Sequence, residues 1–165
     1  MSLFLRRLIE PRLESEPNHP MTKAAATNTV QPYLFFNGRC EDALEFYRQH
    51  LGAELGALMR FKDNPDKQAC SPGDPEKVMH TWFRVGNTEI MASDGRCEGV
   101  TNFQGFALAY SAPSVADADR VFAALADGGE VQMPLSETFF SPRFGMVADR
   151  FGVGWMVLVA KVENR

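Results

Sequence analysis

Cysteine is scarce in this 165-residue chain: Cys40, Cys70 and Cys97 are odd in number, far apart, and form no C-x-x-C pair. That excludes a disulfide framework and a paired-thiol redox or zinc motif, so free thiols in a reducing compartment are expected. Basic charge is short as well. Seventeen Lys and Arg stand against 21 Asp and Glu, a net charge of −4, so no basic stripe exists to draw in nucleic acid or an anionic membrane. Long apolar runs are missing, and the first twenty residues are too acidic and too briefly apolar for a secretory signal. These absences predict a cytoplasmic protein with neither nucleic-acid nor membrane partners.

A 45% hydrophobic content is enough for a true core. Residues 1–28 mix charge with Pro11, Pro17 and Pro20 and read as an N-terminal extension, disordered or docked. From residue 29 the pattern becomes ordered. VQPYLFF reads as a strand closed by Asn37-Gly38. CEDALEFYRQHL carries Ala43, Phe46, Tyr47, His50 and Leu51 at helical spacing, with Gly52 placed to end it. AELGALMRF, EKVMHTWFRV and TEIMASD follow as strands, the last two joined by a Gly86-Asn87 turn. The order then repeats: GFALAYSA, a helix opened by Ser114, and strands in EVQMPLSET, RFGMVADR and GWMVLVAK. An α+β fold of two tandem βαβββ modules is expected, module one at 29–95 and module two at 103–162, curling into a half-barrel around a cavity. The Pro- and Asp-rich segment 62–76 reads as an exposed loop, placed to act as a lid.

The motifs PYLFFNG, EDALEFYRQHLGAEL, MHTWFRVGNTEIMASDG, GFALAY and ETFFSPRFGMVADRFGVGWMV, in that order, resemble PhnB-like members of the vicinal oxygen chelate superfamily, the glyoxalase/bleomycin resistance/dioxygenase group. The resemblance covers residues 30–160. It implies the two-module fold, a small-molecule ligand and a homodimer, in which sites can form between chains. Such families often carry a ubiquinone-methyltransferase label, but no glycine-rich nucleotide loop follows a strand here. Superfamily enzymes hold a divalent metal on strands one, four, five and eight. By strand pattern those positions fall on Gln31, Met91, Phe106 and Met156, of which only Gln31 suits a hard metal. Exchanging Met91 for Glu89 leaves strands five and eight without a ligand. No metal and no cofactor are therefore expected.

Period-two alternation sends Gln31, Tyr33, Phe35, Met91, Ser93, Phe106, Leu108, Tyr110 and Met156 toward the cavity, with Leu34 and Phe36 beneath the helix and Trp155 in the core. Phe140, beside Phe139, adds an aromatic wall in a second lid. This greasy lining suits a flat or amphipathic molecule; the alternative is a cavity plugged by its own side chains. His80, the one histidine in the predicted sheets, is a candidate acid or base, with a structural hydrogen bond as its alternative role. Asp94 and Asp149, at strand ends, are expected to organise turns. The functional expectation is a small-molecule-binding protein without an intact metal site. Its rivals are a glyoxalase-like or dioxygenase-like metalloenzyme built from Gln31, Glu89, His80 or a second chain's residues, and metal-free catalysis at His80.

Overall fold

The computed structural model describes residues 28–66, 73–95 and 101–160. Apart from Asn28, the expected extension lies outside the described residues, as do Cys70, Cys97 and the middle of the 62–76 loop. Module one runs β1 (Tyr33–Phe35), α1 (Cys40–Leu51), β2 (Glu54–Leu55), β3 (Met59–Arg60), β4 (Val78–Val85) and β5 (Thr88–Ser93). Module two runs β6 (Leu108–Ala112), α2 (Val115–Ala126), β7 (Glu130–Ser136), β8 (Phe144–Ala148) and β9 (Gly154–Val159). The first sheet has the order β1-β5-β4-β2, with β3 also on β4; the second has β6-β9-β8-β7. In each, the strand before the helix pairs in parallel with the last strand of its module, and the remaining pairs are antiparallel.

Local chemistry sets the element ends. Gly52 adopts a left-handed φ of 65° that stops α1, and the Ser114 hydroxyl accepts the Asp117 N–H at 3.1 Å to start α2. The single strand expected over 53–61 is broken into β2 and β3. Between them the Gly56 N–H donates to the Trp82 carbonyl, and a Cβ on Gly56 would lie 2.2 Å from the Trp82 indole. The ring occupies the place a side chain at position 56 would need.

The modules meet through their helix-bearing sides. Phe36, Phe46 and Tyr47 of module one pack against Phe151, and Tyr47 also meets Trp155 at 5.5 Å. Arg39 donates to the carbonyls of Arg150 and Phe151, and Arg120 donates to the carbonyl of His50. At the centre, one carboxylate oxygen of Asp149 accepts the Phe151 and Val153 backbone N–H groups, closing the β8–β9 turn. The other accepts the Tyr47 hydroxyl at 2.7 Å and the Trp155 indole N–H at 2.9 Å. Asp94 ties the end of β5 to the Cys40 and Val78 amides in the same manner. Both aspartates are buried and organise their strand ends, as the sequence pattern suggests.

Burial pushes the Asp149 carboxyl up, against the four donors that hold its charge. Asp149→Ala orphans those donors in the interior, where each unmade bond costs about 1–3 kcal/mol. A loss of at least about 3 kcal/mol is expected in urea denaturation; a change below about 1 kcal/mol would mean that water takes over the hub. Burial, then the neighbouring Asp149 charge, raises the Tyr47 phenol well above its ordinary range. Its contribution is therefore intact below about pH 10 and lost as pH climbs through the folded value. Unfolding free energy followed from pH 9 to 11 should fall more steeply for the native chain than for Tyr47→Phe, and equal slopes would contradict this account.

Candidate functional site

The side chains that the helices leave uncovered gather on one face of each sheet. On the first sheet, Tyr33, Met91 and Trp82 stand side by side across β1, β5 and β4, and Met59 lies opposite His80. Leu34, Ala92 and Thr81 alternate with them and are buried. Tyr33 is bonded to His80, Oη to Nδ1 at 3.0 Å, and stacks on Phe35 with ring centroids 4.9 Å apart. Along the same face Gln31 donates to Glu89 at 2.8 Å, Glu89 pairs with Arg84 at 3.5 Å, and the Arg84 guanidinium sits 5.1 Å above the Trp82 ring. Ser93 is 2% exposed, and its hydroxyl accepts the Gly95 N–H, so it serves the turn.

The second sheet corrects the expected lining. Leu108 and Tyr110 are aligned with Trp155 and Val157 on the helix-covered side, not with Met156. Tyr110 donates to Asp117 of α2 at 2.8 Å. The parallel pairing of β6 with β9 sets Ala109 opposite Met156 and Ser111 opposite Leu158, and a one-residue offset exchanges the two faces of a strand. The uncovered face instead carries a row of thioethers, Met133, Met146 and Met156, on three adjacent strands. Phe106 precedes β6 and joins Phe103, Gln132, Met146 and Met156 around a hollow of about 400 Å³. Phe140 meets Phe139 and Phe144 edge to face, in a loop pinned by buried Ser141, whose hydroxyl bonds to the Val159 carbonyl. Met133 escapes sequence reading because the bulge in β7 changes its alternation, whereas Met146, on the regular β8, could have been found by pairing that strand with Met156. Ser141 reads only as a loop serine.

A divalent metal, which the fold group implies, does not suit these donors. Glu89 is already held by Gln31 and Arg84, His80 by Tyr33, and the uncovered face of the second sheet offers thioethers, Ala109, Ser111, Phe144 and Leu158. Among the described residues no three His, Cys, Asp or Glu stand close enough to hold a metal ion.

A family model described as 3-demethylubiquinone-9 3-methyltransferase matches residues 28–158. The chain belongs to this PhnB-like family. It is 35% identical over 142 residues to protein YjdN of Escherichia coli K12, covering 81% of this chain and 97% of YjdN. The crystal structure of PA1353 from Pseudomonas aeruginosa is 42% identical, with a TM-score of 0.72, covering 82% of this chain and all of that one. A PhnB protein from Bacillus cereus carrying the same methyltransferase description is 27% identical, with a TM-score of 0.69, over 81% of this chain and all of that one. At 17% identity and a TM-score of 0.56, a glyoxylase/bleomycin resistance protein/dioxygenase domain from Frankia shares the fold, covering 86% and 96%. The PhnB-like chain thus has the glyoxalase/bleomycin resistance architecture.

Trp82 depends on Gly56 for its place on the uncovered face. Gly56→Ala should displace the indole at a cost of about 1–3 kcal/mol. With Trp155→Phe as background, Trp82 is the single tryptophan and its emission maximum should shift. An unchanged spectrum and melting temperature would show that β2 yields instead of the ring.

Proposed function

We propose that the chain is a small-molecule-binding protein whose ligand lies on the uncovered sheet faces and is enclosed when a second copy supplies the opposite wall. One observation carries this reading. Large apolar side chains that a monomer would normally hide are exposed: Phe35 at 53%, Tyr33 and Met59 on the first sheet, Met133 on the second, Phe106 at 45% just before β6, and Phe140 in the loop before β8. Exposed apolar faces of this kind mark binding sites. Because the modules of one chain are joined by their helix sides, one chain offers an aromatic wall and a methionine wall without bringing them together. Two chains can oppose the two walls, and soft thioethers adapt well to aromatic surfaces.

The ligand class that suits these walls is flat and largely apolar, with few hydrogen-bonding groups. Methyl transfer from S-adenosylmethionine finds little support, since the β1–α1 turn Asn37–Arg39 is closed by the Lys77 ammonium on the Gly38 carbonyl and by Arg39 reaching to module two. A cytoplasmic homodimer with modules at 29–95 and 103–162 belongs to the same proposal. The buried, unpaired Cys40 suits a reducing compartment, its thiol pKa raised by burial.

The test pairs sedimentation velocity of the full chain with a fluorescence titration of 1-anilinonaphthalene-8-sulfonate. A dimer with saturable dye binding is expected, weakened at least about tenfold by either Phe35→Asp or Met156→Asp, equivalent to about 1.4 kcal/mol. A monomer at all concentrations, or dye binding indifferent to both substitutions, would remove the proposal.

A further inference from the structure

We propose that Tyr33 and His80 form a metal-independent proton-transfer pair that interconverts the keto and enol forms of an aryl-substituted carbonyl compound. This deepens the binding proposal, since the substrate would lie on the same uncovered face.

The geometry begins with the 3.0 Å bond between Tyr33 Oη and His80 Nδ1. Tyr33 is on β1 and His80 on β4, with β5 hydrogen-bonded between them, so one sheet sets the spacing of the pair. His80 Nε2 has no hydrogen-bond partner among the described residues, and Tyr33 is 36% exposed. The shared bond can carry its proton in two ways. With the proton on Nδ1, His80 donates to Tyr33; Nε2 is then a free base and the Tyr33 hydroxyl a free donor. With the proton on Tyr33, the phenol donates to Nδ1; Nε2–H is then the donor and the phenol oxygen the acceptor.

These two states are related by the movement of protons that enolisation requires. Nε2 takes the proton from the carbon beside the carbonyl, and that C–H electron pair forms the new C=C bond. The C=O π pair moves to oxygen, which receives the Tyr33 proton. Nδ1 passes its proton to the phenol oxygen. One C–H bond is broken and one O–H bond formed, the protein ends in its other tautomer, and the reverse reaction restores the first. No oxidant, reductant or cofactor enters the balance.

The surroundings select the substrate class. Phe35 stacks on Tyr33, and Met91 and Met59 flank the pair, a setting for an aromatic ring next to the reacting carbons. The charged groups of this face, Glu89 and Arg84, neutralise each other farther along it, with Gln31 on Glu89. A proton-transfer pair in an apolar setting acts without competing ions nearby.

The experiment uses the full chain with phenylpyruvate. Exchange of its benzylic protons for solvent deuterium is followed by NMR, and decay of its enol by ultraviolet absorbance. Both should run faster than in buffer. Tyr33→Phe and His80→Gln should each lower the catalysed rate at least about 10²-fold. Equal rates in either variant, or no catalysed exchange by a protein that binds the dye saturably, would overturn the proton-transfer proposal and leave the binding proposal standing. Absence of saturable dye binding in the native chain would overturn both.

Discussion

A single buried carboxylate joins the two halves of this molecule. Asp149 closes the β8–β9 turn with one oxygen and takes the Tyr47 and Trp155 donors with the other, so the end of a strand pair in module two is bonded directly to the helix of module one. A charge in the interior is costly unless it is fully hydrogen-bonded, and four donors meet that condition. The aromatic packing around it, Phe36, Phe46 and Phe151 with Tyr47, excludes water from the hub and keeps those bonds short. Asp94 repeats the motif inside module one, where it connects strand end, strand start and helix start.

Everything proposed about function follows from that join. If the modules used their uncovered faces to meet, the apolar walls would vanish into a monomer core. Because the helix sides meet instead, Tyr33, Phe35, Met91, Met146 and Met156 remain on faces that the chain does not fill by itself. The likeness to PA1353 and YjdN extends over nearly the whole of each relative, so the family assignment concerns the complete two-module unit. The family's description names a methyltransferase, whereas the side chains here offer an aromatic wall, a thioether row and one Tyr–His bond.

Much of the fold was legible because helices and strands write different periods. Both helices, the Gly52 stop, the Ser114 cap and the strand-end aspartates all follow from local spacing, and so does the burial of Leu34, Phe36 and Trp155. The lining of the second sheet was not legible in the same way. Which residue of β6 lies opposite Met156 depends on a parallel pairing between segments more than forty positions apart, and no local pattern records that offset. Leu108 and Tyr110 are as greasy as any lining residue, yet the pairing turns them toward α2. The bulge in β7 and the break at Gly56 likewise arise from contacts with other strands. The Tyr33–His80 bond needs three strands in register before its two rings can touch.

The arginine contacts along the seam carry a mechanical meaning. Arg39, just before α1, and Arg120, reaching the carbonyl of His50 near its end, brace the junction at opposite extremities of a helix about 18 Å long. A guanidinium bonded to backbone oxygens at each end of the helix, together with the aromatic packing between them, opposes sliding of one module over the other as well as their separation. For the proposed ligand between two copies, exchange would then be set by how quickly the copies part, not by flexing between the modules of one chain.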